Sequence, residues 1–443
     1  MAAIRQIIST VFRSAGVCFV SLNLSVHVVH SPHDTLAAQL ASSPESVIGT
    51  DKRISKLETR LAEKPDDVKL RHGLARLYIQ KVRENGEASY LTRAETLLAP
   101  FLRQTPPPGE TLGLYAWLAL FKHEFKAAAE WAEKARAQQP RESWNYGILS
   151  DAFLEMGDYQ KAVTYAQRMM DLKPDQGSYS RAAYLRSLHG DHDGAIELWG
   201  SAIRSGARTG EYTAWCRVEL GDEYFNRGRL HEAEQAYQAA LNSFPGYHRG
   251  LAGLAKVRAA QGRWADAAEL YQNAVDVVPY LPYIAALGDV YQATGQFEKA
   301  DQQYQLVEHV AHLDRLNQIL YNRDLALFYA DHANHLDQAI HLARKELDVR
   351  NDIYSYDVLA WVLYRQGRYI EARTAISQAV KLGTKDPRLL FHAGMVMSAT
   401  GQHQEAKQYL SRLLSLTPNF HPLHGKTVRE TLNRLDQEAR SAN

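Results

Sequence analysis

Residues 217–245, RVELGDEYFNRGRLHEAEQAYQAALNSFP, decide the fold of this 443-residue chain. Leu220, Gly221 and Tyr224 share one helical stripe; Asn226, Arg227 and Gly228 break it. A second stripe carries Ala233, Tyr237 and Ala240, and Pro245 closes the unit. Apolar residues at i, i+3 and i+4 intervals put one face of each helix against its neighbours. Gly221 and Ala233 are small enough to let the paired helices approach, and the tyrosines fill the space beside them. Gly228 tolerates the positive φ that ends a helix, and Pro245 cannot continue one. The stretch reads as helix, tight turn, helix.

The unit recurs. Gly-x-x-x-x-Ala stands at Gly157/Ala162, Gly190/Ala195, Gly228/Ala233, Gly262/Ala267, Gly295/Ala300, Gly367/Ala372 and Gly401/Ala406. Successive glycines lie 33, 38, 34, 33, 72 and 34 residues apart by subtraction. The interval of 72 holds two units, with Ala339 marking the one that lacks a glycine. Another copy without the turn glycine contains Tyr115, Ala116, Phe125, Ala128, Ala135 and Pro140. A period near 34 marks a stack of helical hairpins.

These recurring positions resemble the tetratricopeptide repeat family over residues 66–420, in about nine copies. The resemblance implies an all-α, right-handed α-solenoid of tandem helix-turn-helix repeats whose first helices line a concave surface. Two units depart from the pattern, with long turns expected at 82–89 and 329–337. Residues 51–65, with Ile54, Leu57 and Leu61 at helical spacing, are expected to form an N-terminal capping helix. Residues 421–443 supply a C-terminal one through the narrow stripe of Val428, Leu432 and Leu435, because an array must cover its end faces with a polar-backed element.

The groove implied by the resemblance points to a non-catalytic scaffold holding a peptide, helix or partner domain. Helical phase places Trp117, Phe121, Trp144, Trp215, Phe225, Tyr354, Trp361, Tyr364 and Phe391 near it, as the expected partner-binding set. Aromatic rings offer large contact area at small entropic cost. The alternative for each is packing between adjacent first helices. The paired Lys, Asn and Arg of a carboxylate clamp are missing at the comparable positions, which offer Gly147, Asp151, Ser180, Tyr184, Val218 and Asp222.

Composition narrows the remaining classes. A net charge of +1 and no Lys/Arg block interleaved with aromatics speak against nucleic acid as a partner. Cys18 and Cys216 form no metal-ligand spacing, and Cys216 reads as a small packed residue. His309/His312 and His332/His335 have i, i+3 spacing but no local Glu or Cys to complete a metal set, so solvated side chains are expected. P-loop, Gly-x-Ser-x-Gly and dinucleotide-loop motifs are absent, and the repeats leave little chain for a catalytic domain. The expectation is no enzyme, no cofactor and no small-molecule substrate.

Residues 1–33 carry no acidic group, and Arg5 and Arg13 precede an apolar-leaning stretch at 15–29. That pattern is expected of a targeting segment or signal peptide, with 34–50 as a linker. It fits export to the periplasm or outside and assembly of an envelope or secreted complex. Mitochondrial and cytoplasmic locations stay open, as do an organelle assembly factor and a substrate-recruiting subunit of an enzyme on another chain. Membrane contact is expected only through an uncleaved N-terminus.

Overall fold

A computed structural model describes residues 49–316 and 322–441. The expected targeting segment, nearly all of the linker, and Cys18 lie outside these residues. Helix α1 (Thr50–Glu63) precedes the hairpins α2 (Val68–Asn85) with α3 (Ser89–Leu102), α4 (Gly109–Phe121) with α5 (Phe125–Gln138), and α6 (Ser143–Glu155) with α7 (Tyr159–Leu172). Then come α8 (Gln176–Leu188) with α9 (His192–Ser205), α10 (Glu211–Phe225) with α11 (Leu230–Ser243), and α12 (His248–Ala260) with α13 (Trp264–Val277). They are followed by α14 (Leu281–Ala293) with α15 (Phe297–Leu316), α16 (Asn322–Asp331) with α17 (Leu336–Leu347), α18 (Ile353–Arg365) with α19 (Tyr369–Ala379), and α20 (Pro387–Ala399) with α21 (His403–Leu416). Helix α22 (His424–Ser441) ends the stack. The described residues thus form an all-α right-handed solenoid of ten hairpins without a β-strand.

The two helices of a hairpin differ in kind. Nearly every residue of α6 is buried, because it is covered by its own partner and by first helices on either side. Helix α7 buries only Tyr159, Ala162, Ala166 and Met169, a stripe facing inward beneath a polar outer face. Turns are made where the chain enters the left-handed region and is then recapped. After Gly190, at φ 74°, the Asp191 carboxylate accepts from the Gly194 amide to start α9.

The glycine-poor units correct the expectation of long turns. Helix α2 runs on to Asn85, where Gly86 at φ 72° ends it, so 82–89 is mostly helix and the connection is short. Helix α16 runs to Asp331, and only four residues separate it from α17. His123 in the α4–α5 turn, and Ala333 and His335 in the α16–α17 turn, take φ values of 60°, 50° and 46° where other units place glycine. The turn geometry is kept and the residue is strained into it.

The superhelix also closes upon itself. A Cβ on Gly157, Gly190 or Gly228 would run into the carbonyl oxygen of Asn351, Gly383 or Leu416, respectively. The offsets are 194, 193 and 188 residues by subtraction, so one superhelical turn seats on the next after almost six repeats. The Asn351 amide donates to the Glu155 carbonyl at 3.1 Å, and the Ile353 amide to the Tyr159 hydroxyl at 2.8 Å. Arg350, buried at this seam, pairs with Glu155 at 2.6 Å and with Glu346 at 3.0 Å.

Candidate groove of the solenoid

The first helices from α10 to α20 face a concave cavity of about 710 Å³. Asp222 and Phe225 reach it from α10, Arg249 and Lys256 from α12, and Tyr283 and Asp289 from α14. Arg323 and Asp331 of α16, Tyr354 of α18 and Arg388 of α20 continue the wall. Its opposite side is the segment 418–422 and the start of α22.

The charges of this wall are set in pairs. Lys256 contacts Asp222, Arg323 lies 3.0 Å from Asp352, and Arg388 lies 3.0 Å from Asp357. Glu219, behind Arg249, is pushed up to about 8 by burial and by the nearby Asp222 charge. Burial also raises the Tyr280 and Tyr283 hydroxyls above the ordinary phenol range, so they are neutral donors and acceptors at physiological pH. Such a wall offers tyrosine faces and hydrogen-bonding groups with little unbalanced charge, which suits an extended polypeptide.

Asp289 is a hub. Tyr304 of α15 donates to it at 2.9 Å, His332 Nε2 lies at 2.9 Å, and His421 Nε2 at 3.4 Å. Burial pushes its carboxyl up, but the contacts from His332 and His421 prevail and hold it well below the usual range. His332 is therefore partly buried and paired, which corrects the expectation of a solvated side chain. Cys216 is fully buried, and burial raises its thiol far above neutrality.

The aromatic set expected in the groove divides. Phe225 and Tyr354 line the cavity, with Lys256 over the Phe225 ring and Tyr354 between Arg323 and Arg388. Trp117, Phe121, Trp144, Trp215, Trp361 and Phe391 are buried and do not line this cavity. Trp117 packs edge-on against Phe121 and Trp144, and Trp215 against Trp199. Trp361 stacks on Tyr364, which is half-buried, and on His392, while Phe391 packs against Trp361. These rings fill the gaps between neighbouring helices because the curved stack brings the helices together there. The groove residues missed were the charged ones. Their signal was legible: Leu-Gly-Asp recurs at 220–222 and 287–289, and each Asp takes a hydrogen bond from a tyrosine 15 residues later.

Fold and groove define the class as an α-solenoid that presents a concave interaction surface. Tetratricopeptide repeat models match residues 218–282 and 358–419, and a second such model matches 145–176. The chain is a tetratricopeptide repeat protein. Among curated proteins it is similar to human protein O-mannosyl-transferase TMTC1, at 24% identity over 229 residues, covering 50% of this chain and 24% of that protein. It thus spans about a quarter of that relative's length. Among solved structures it is similar to the human IFIT1 dimer with PPP-AAAA, at 14% identity over 83% of this chain and 86% of that one, with TM-score 0.46. It is also similar to the APC/C hetero-tetramer Cut9–Hcn1, at 13% identity over 87% and 86%, with TM-score 0.37. Both structural likenesses are of helical architecture alone.

Proposed function

We propose that this protein is a non-catalytic interaction scaffold that holds an extended peptide or helix of a partner protein in its concave cavity. The observation that carries this reading is the cavity wall, where tyrosines alternate with charges already paired to carboxylates on successive first helices. Paired charges have met much of their desolvation cost in the unbound protein, so they can accept polar groups of a partner without leaving a lone buried ion. The acid-free N-terminal stretch supports work outside the cytoplasm, in assembly of an envelope or secreted complex; an organelle assembly factor is the alternative.

The test is chemical crosslinking in the native host with the full chain and with a Tyr283→Ala/Tyr354→Ala variant. A partner captured by the wild type and reduced at least tenfold by the variant, with helicity unchanged, supports the groove. Equal capture would move the interaction to another face. N-terminal sequencing of the mature protein decides the location, since cleavage near residues 31–41 supports processing and an intact Met1 removes it. A second reading is favoured by the transferase name of the curated relative: the array would recruit a substrate to catalysis elsewhere. A captured partner that is modified only in the presence of the array would favour that reading.

A further inference from the structure

The segment between α21 and α22 is more than a connection. Within residues 416–424 the chain touches six hairpins. The Leu416 carbonyl lies against Gly228 at the α10–α11 turn, and Asn419 Nδ2 donates to the Ala260 carbonyl at the end of α12 at 3.0 Å. His421 reaches Asp289 on α14, and His424 reaches Asp331 on α16 at 3.7 Å. The His424 ring stands edge-on to Trp361 of α18, and Phe420 packs on Phe391 of α20 at 5.6 Å. Pro418 and Pro422 line the cavity itself. Short connections between helices need only a few residues; this one, a run of turns and bends, lies along the cavity and forms part of its wall.

Its hold is built from imidazoles. His421 and His424 stack at 4.2 Å between ring centroids, His424 also stacks on Phe391, and His392 of α20 packs on Trp361. The groups facing these rings come from every neighbouring element: Asp289 of α14, Asp331 at the end of α16 and His332 in the turn after it, Asp357 of α18, and His392 and Arg388 of α20. On α22 itself, Lys426 and Arg429 reach the same cavity. Arg388 and His392 already share Asp357, and His332 already occupies Asp289. A proton added to His424 would therefore put a further positive charge face to face with the His421 ring, in a cluster where Asp289 and Asp357 already have partners.

We propose that residues 417–423 are an autoinhibitory strap across the groove, latched by the stacked pair His421 and His424, which mild acid releases so that a partner's segment can enter. This inference rests on the groove being the binding surface. The direction follows from proton affinity. In the closed strap, burial and the neighbouring His421 hold His424 below its ordinary pKa despite Asp331. The open strap binds that proton more readily, so closure is complete above the ordinary histidine pKa and weakens as pH falls below it. His332 stands in the turn after α16, keeps Asp289 when the strap leaves, and does not drive the opening.

The experiment needs no partner, which separates its failure from failure of the groove reading. 4-Fluorophenylalanine placed at position 420 of the full chain reports the strap by fluorine NMR. One packed resonance is expected at pH 7.5. Between pH 7 and pH 5 the solvent-exposed resonance should grow by up to about tenfold per pH unit, as one coupled proton allows, at constant far-UV helicity. His424→Gln, which cannot take the proton, should stay packed across the range. A packed signal unchanged down to pH 5 would overturn the proposal. So would a change that coincides with loss of helicity, or an identical transition in His424→Gln.

Discussion

Gly228 carries two duties that one sequence position can hide. Its φ of 70° ends α10, and its missing side chain admits the Leu416 carbonyl of the next superhelical turn. Gly401 has φ 74° and open space around it, so it carries only the first duty. Gly401→Ala should cost about 1–2 kcal/mol for the left-handed conformation, and Gly228→Ala more, because the methyl group would also have to displace backbone. Urea unfolding midpoints of the two variants check this; equal losses would mean that the turns do not touch in solution. The turn role of both glycines was legible from their spacing. The docking role was not, because nothing local to Gly228 points to a residue 188 positions away.

Within the elements, the recurring Leu-Gly-Asp shows how a first helix receives its partners. Cβ atoms at Gly221 and Gly253 would both strike the Tyr237 ring, so that ring is clasped between α10 and α12 while its hydroxyl donates to Asp222 at 2.8 Å. Gly288 and Tyr304 repeat the arrangement with Asp289. Gly221→Ala should therefore destabilise by about 1–3 kcal/mol through overpacking. Adding Tyr237→Leu should restore part of the loss, and a double-mutant cycle by urea unfolding measures the coupling. Simple additivity of the two changes would place the ring elsewhere. The helices and their small-residue faces were legible from the 34-residue period. Which aromatics face the cavity was not: helical phase sorts residues into faces, but the tilt between stacked hairpins determines whether a face meets solvent or the next helix. Trp117, Trp215 and Trp361 lie on the latter side of that division.

For the whole molecule, closure of one superhelical turn on the next distinguishes this array from an open spring of hairpins. Arg350 joins Glu155 of α6 to Glu346 of α17 with all three side chains buried. Burial pushes Glu155 up to about 7 even so. Arg350→Ala leaves two buried carboxylates without their cation and should cost about 3–5 kcal/mol. It should also let the turns part, seen as an increased radius of gyration by small-angle scattering, with Glu155→Gln/Arg350→Met regaining part of the stability. Unchanged scattering and melting would show that the seam is held by other contacts. The sequence alone determined the hairpin, its period, the turn chemistry and hence the solenoid, since these depend on residues within one repeat and its neighbour. Only the tertiary structure decided the cavity, its paired charges, the histidine-held strap and the seam between turns. Those features join residues up to about 190 positions apart, and their meeting depends on the accumulated angle of nearly six hairpins, a quantity no single repeat encodes.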